Sequence, residues 1–80
     1  MRGDPAMETW WVYIVEKGDK LYVGITTDVA NRMRQHGVNS PLYSEGPMPR
    51  SAAVLRELKL KGWSRKKKLA LIQEASSHGE

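Results

Sequence analysis

The sequence predicts an α+β fold: a small three-stranded antiparallel sheet flanked by about three helices, in the order ββαβαα. Three observations lead there. Residues 11–24, WVYIVEKGDKLYVG, are two apolar runs around Gly18-Asp19, the pattern of a hairpin. Three later stretches have helical spacing, each with a start or stop signal. Between the first two of these lies Pro41–Glu45, long enough only for a short edge strand with proline at its start.

The elements follow in chain order. MRGDPAM has no periodicity and precedes a second methionine, so residues 1–8 read as a leader or tag remnant. A single domain is expected over 9–75, with a frayed tail over 76–80; a chain of 80 residues has no room for a second core. From Thr9 to Glu16 nearly every residue is apolar or aromatic, which indicates a central strand. Glycine accepts positive φ in the first position of a two-residue turn, and Lys20–Ile25 is the returning strand.

That turn fixes the register. If Lys17 pairs with Lys20, then Val15 faces Tyr22 and Tyr13 faces Gly24. Trp11, Tyr13, Tyr22 and Gly24 then share one sheet face, and Gly24 is expected to leave open space beside Tyr13 for a ligand. Thr26-Thr27-Asp28 starts a helix that runs to about His36 and stops at Gly37. Val29 and Met33 are its apolar contacts, and Arg32 and His36, four apart, share a neighbouring stripe. A second helix runs from Arg50 to Lys61, with Val54, Leu55 and Leu58 expected as its buried stripe and Gly62 as its end. Ser64 caps a last helix, with Leu69, Ile72 and Ala75 expected to point inward.

Composition narrows the function. The chain has no cysteine, which excludes disulfides and thiolate metal sites and leaves oxygen or imidazole ligands for any metal. No apolar run approaches the roughly 20 residues of a membrane span, so no membrane partner is expected and the cytoplasm is the expected location. The net charge of +4 suits a polyanion, and the cations concentrate between Lys59 and Lys68. From the residues alone, the tyrosines fit sheet packing as well as a site, and Arg32 and His36 fit a solvated helix face. Glu57 fits an i,i+4 pair with Lys61, worth about 0.3–0.5 kcal/mol.

Trp11-Val12-Tyr13 and Tyr22-Val23-Gly24 on adjacent strands are followed by Asn31-Arg-Met-Arg-Gln-His36, Arg50-Ser-Ala-Ala, Glu57, and Lys61-Gly-Trp-Ser-Arg-Lys-Lys-Lys-Leu-Ala-Leu-Ile72. This series resembles the GIY-YIG nuclease superfamily over Trp10 to Ile72, and most closely its small stand-alone bacterial proteins, usually described as predicted endonucleases. The resemblance implies metal-dependent hydrolysis of phosphodiester bonds, in DNA rather than RNA and in branched or damaged DNA among the options. It implies catalytic roles for Tyr13, Tyr22, Arg32, His36 and Glu57. Tyr13 and Tyr22 would handle the attacking water and the phosphate, and Arg32 the charge growing on the phosphate oxygens. His36 would carry a proton or touch phosphate, and Glu57 would hold one Mg2+ or Mn2+ ion. Gly24, Arg34, Lys61, Arg65, Lys66 and Lys67 are the expected nucleic-acid contacts. Two departures accompany the match: Trp11 stands at the first glycine, and the loop Gly37–Leu42 is short, so the grip on substrate is expected to differ. The alternative is a nucleic-acid-binding module that keeps the fold and cleaves weakly or not at all.

Overall fold

A computed structural model describes residues 9–76; the readings for the leader and for the tail beyond Ser76 lie outside the described residues. The elements are β1 (Trp10–Lys17), β2 (Lys20–Thr26), α1 (Val29–His36), β3 (Tyr43–Met48), α2 (Arg50–Lys61) and α3 (Arg65–Ser76). This is the predicted order ββαβαα. The sheet is antiparallel with strand order β2-β1-β3, so the most apolar strand is the central one.

The hairpin forms in the register that the two-residue turn requires. Gly18 has φ 65°, Lys17 pairs with Lys20, and Tyr13 lies opposite Gly24. Asp28 caps α1 by accepting the Asn31 N–H at 3.0 Å, and Gly37 closes that helix in the left-handed region at φ 78°. Ser64 starts α3 by accepting the Lys67 N–H at 3.1 Å.

Alternation along β1 divides the core. Val12 faces α2 and α3, where it is buried with Ala53 and Leu60 under Trp63 and Leu71. Tyr13 and Val15 face the other way and pack on Met33 of α1. The fold is therefore three layers, α1, sheet, and α2 with α3. Among the described residues no helix is long and apolar enough to cross a membrane.

Three expectations need correction. The edge strand is Tyr43–Met48 rather than Pro41–Glu45. Pairing begins where the Leu42 N–H reaches the Ile14 carbonyl at 2.9 Å, and it continues past Pro47 through a register shift. A bulged edge strand tolerates proline, because an outward-facing position needs no donor.

The buried stripe of α2 is Ala53 and Leu60, whereas Leu55 and Leu58 remain 69% and 62% exposed. Apolar residues nearly encircle this helix, so two stripes competed. The small Ala53 side chain lets the helix lie close to the sheet, and that selects the stripe containing it. In α3, Leu71 rather than Leu69 meets the core, Leu69 is exposed, and Ala75 is exposed as well. The run Leu69-Ala-Leu-Ile72 carries no phase of its own.

Arg65 closes the fold across a long sequence distance. Its guanidinium donates to the Asp19 carbonyl at 2.7 Å and to Glu16 Oε2 at 3.3 Å, fastening the start of α3 to the hairpin tip.

Candidate active site and nucleic-acid interface

Met33 anchors α1 on the sheet, and its helical neighbours then hang over the same strands. His36 Nε2 lies 3.1 Å from the Tyr13 hydroxyl, and the two rings meet edge-on with centroids 5.6 Å apart. Tyr13 is only 3% exposed, so its phenol is held by packing as well as by the hydrogen bond. Gly24 makes this possible. A Cβ there would stand 2.4 Å from the Tyr13 hydroxyl oxygen and 2.6 Å from Cζ. The space over Gly24 is thus filled by the Tyr13 phenol itself, not left open for a ligand; the glycine is a seat for the tyrosine.

The electrostatics are cationic. His36 is held below its ordinary value of 6.5, first by desolvation and then by Lys17 and Arg32, and so is neutral at neutral pH. Lys17 Nζ lies 5.9 Å from the centre of the Tyr22 ring, which is 46% exposed. Arg32 buries its Nε with no hydrogen-bond partner. Among the described residues neither Lys17 nor Arg32 forms an ion pair with a carboxylate. A buried donor without an acceptor is costly. Lys17 was not among the candidates read from sequence. Its odd position on β1 places it on the tyrosine face, and that parity was the available signal.

Tyr13, Tyr22, Gly24, Arg32 and His36 therefore share one side of the sheet. Glu57 is carried by α2, which packs on the other side. It lies between buried Ala53 and Leu60, and its carboxylate meets Lys61 Nζ at 3.2 Å. Its stripe faces the sheet, which was not legible while Leu55 and Leu58 were expected to be buried.

The basic residues divide into several situations. Arg34 is exposed at the end of α1 and donates to Asn31 Oδ1 at 3.2 Å. Arg65 is committed to the hairpin. Lys66 is exposed, and Lys67 Nζ sits 4.3 Å from the centre of the Trp63 ring, with the Arg56 guanidinium 5.6 Å from it.

A further cluster was missed in the sequence. The Arg56 Nε–H donates to Glu45 Oε2 at 2.6 Å, while the Tyr43 hydroxyl donates to Glu45 Oε1 at 2.5 Å. Burial and that hydrogen bond raise Tyr43 above its ordinary value, and Glu45 likewise raises Arg56. This network locks β3 to α2. Tyr43 and Glu45, two apart on a strand, were the signal.

Comparison with known proteins identifies the family. The family described as the GIY-YIG catalytic domain matches residues 9–43, the stretch holding both tyrosines, Arg32 and His36. A UPF0213 protein of Haloquadratum walsbyi is 39% identical, covering 82% of this chain and 89% of its own. The UPF0213 protein YhbQ of Escherichia fergusonii is 32% identical and that of Escherichia coli 31%, each covering 92% of this chain and 87% of its own. No solved structure matches. The family match and these relatives show that the chain belongs to the GIY-YIG family, among the small proteins grouped as UPF0213.

Proposed function

We propose that this protein is an endonuclease that hydrolyses phosphodiester bonds in DNA. The observation that supports the reading best is the 3.1 Å contact between the Tyr13 hydroxyl and His36 Nε2, beside the partnerless Nε of Arg32. Hydrolysis needs a group to accept a proton from the attacking water and cations to meet charge growing on the phosphate. Neutral His36 can take the proton through the Tyr13 hydroxyl. Arg32 offers a planar fork to the phosphate oxygens, and Lys17 and Tyr22 steady the phosphate from the exposed side.

Among the described residues no three His, Asp or Glu side chains converge on a metal site. Glu57 is the carboxylate that would hold a hard divalent ion such as Mg2+ or Mn2+, which commonly takes one or two carboxylates with water and substrate phosphate. Its place across the sheet from Tyr13 and its pairing with Lys61 do not bring such an ion to the tyrosine face. Such an ion would supply positive charge to a phosphate within its reach. Glu57→Gln keeps the side chain's size and removes its charge. It is expected to abolish metal-dependent cleavage of nicked, branched or single-stranded DNA while lowering the thermal midpoint by no more than a few degrees, through loss of the Lys61 pair. Wild-type cleavage by this variant would remove Glu57 from the mechanism.

A second reading, a binding module without efficient cleavage, is favoured by one observation: Lys61 already neutralises Glu57, on the far side of the sheet from Tyr13. Activity with Mg2+ or Mn2+ separates the two readings. Both require nucleic-acid binding, and the exposed start of α3 supplies a test. Replacing Lys66, Lys67 and Lys68 with alanine is expected to weaken binding similarly on all sequences. The slope of log K against log salt should fall by up to about 0.9 per lost duplex contact. An unchanged slope would assign these lysines to the solvated face and leave Lys17, Arg32 and Arg34 as the phosphate path.

A further inference from the structure

On the Tyr13 face of the sheet, and used by none of the chemistry above, lies a hollow of about 390 Å3 lined by Trp11, Thr27, Asp28, Val29 and Ser44. We infer that it receives one unstacked base of the nucleic-acid strand, with preference for a base that carries an exocyclic amino group. The inference rests on the reading that the protein acts on nucleic acid, and it names the form of substrate the site takes.

Position comes first. Trp11 is two residues before Tyr13 on β1 and shares its sheet face, about 7 Å along the strand. Ser44 is the cross-strand partner of Tyr13 on β3. A nucleotide whose phosphate lies over the tyrosines therefore has this hollow within reach of its own base or its neighbour's.

The lining suits a base and opposes a phosphate. Trp11 offers a flat aromatic ring, and stacking on such a ring is tolerant of sequence. That ring is fixed in place by Gly46: a Cβ there would come within 3.0 Å of the indole Cδ2 and Cε3, so the indole lies against the β3 backbone. Val29 adds an apolar wall. Asp28 spends Oδ1 on the Asn31 N–H at 3.0 Å, and as a carboxylate it repels phosphate while accepting from an amino group. Thr27 and Ser44 add two hydroxyls to the lining. A base in the hollow would meet one fixed aromatic ring, one acceptor and two adaptable hydroxyls, a combination that recognises extruded bases.

The test is binding without metal, in a chelating buffer, so it does not depend on cleavage. The probes are fluorescent duplexes with one unpaired residue (cytosine, thymine or an abasic sugar), each made in deoxy and ribo form. Wild-type protein is expected to bind the cytosine bulge about tenfold more tightly than the abasic one. Trp11→Leu should erase that difference and Trp11→Tyr should keep it. Asp28→Asn, which preserves the cap, should bring cytosine and thymine together. The more strongly discriminated sugar series identifies DNA or RNA as the source of the base.

Equal binding of base-containing and abasic bulges by wild-type protein would overturn the inference while leaving the nuclease reading intact. Failure to bind any of the probes would overturn both. Discrimination by a protein that never cleaves would support the hollow and count only against hydrolysis. A cytosine preference that survives Asp28→Asn would overturn the amino-group recognition.

Discussion

Tyr13→Phe is expected to lower the rate of phosphodiester cleavage by about two to four orders of magnitude, the usual size of a positioned proton-transfer contribution. Phenylalanine keeps the ring that packs on Val15 and Met33, so the fold should survive. The lost hydroxyl removes one hydrogen bond, worth about 0.5–1.5 kcal/mol. His36→Ala should produce a loss of similar size. The double variant should fall little further, since the two side chains act as one unit through a single 3.1 Å contact.

The pH profile carries the same argument. Burial, Lys17 and Arg32 all hold His36 below 6.5, so its neutral form persists to lower pH than in an ordinary histidine. The acid limb of kcat/KM should therefore have its midpoint below 6.5 and vanish in His36→Ala. The sign for stability agrees. A histidine whose folded value is depressed binds fewer protons folded than unfolded, so its contribution is full above the unfolded value and declines as pH falls below it. Tyr13→Phe cleaving at the wild-type rate would end the assignment.

The second large effect is expected at Gly24, a residue that takes no part in the chemistry. An alanine Cβ would stand 2.4 Å from the Tyr13 hydroxyl oxygen, 2.6 Å from Cζ and 3.1 Å from Cε2. The ring has little room to move, since Val15, Met33 and the His36 ring lie around it and almost none of it reaches solvent. Overpacking of this kind costs about 1–3 kcal/mol. Gly24→Ala should thus show a lower urea midpoint together with an activity loss close to that of Tyr13→Phe, because the phenol is pushed off His36. The His36 ring resonances should shift in the NMR spectrum of the variant. A variant with unchanged midpoint and unchanged His36 signals would show that Tyr13 is not seated over Gly24.

How much of this was legible in the sequence depends on what fixes each feature. The hairpin register was readable because a two-residue turn admits one pairing, and that pairing placed Tyr13 opposite Gly24. The meaning of the pairing was not: whether the space over a glycine holds a ligand or a neighbour's ring depends on χ angles that no pattern encodes. The helix starts and stops at Asp28, Gly37 and Ser64 were readable from capping chemistry alone. The phase of α2 was not, since Ala53, Val54, Leu55, Leu58 and Leu60 offered two faces and close approach decided between them. That single phase carries Glu57 with it. The extent of β3 was obscured by Pro47 within it and by Pro41 and Pro49 on either side, since proline bars a central strand but not a bulged edge. Arg65 read as one of a row of cations, and only the folded chain shows it tied to the carbonyl of Asp19.

The division of the core on either side of β1 also orders events during synthesis. Tyr13 and Val15 are covered by Met33, about twenty residues further along the chain, whereas Val12 waits for Ala53 and Leu60, about forty or more residues on. At ~5–20 residues per second, the half-sheet beneath α1 can assemble while the opposite apolar face is still bare for some seconds. Arg65 closes the hairpin tip later still. A nascent chain stalled near Gly37 would carry both tyrosines and His36 with nothing beneath Val12. A chain cut short before Leu60 would keep that face of the sheet bare.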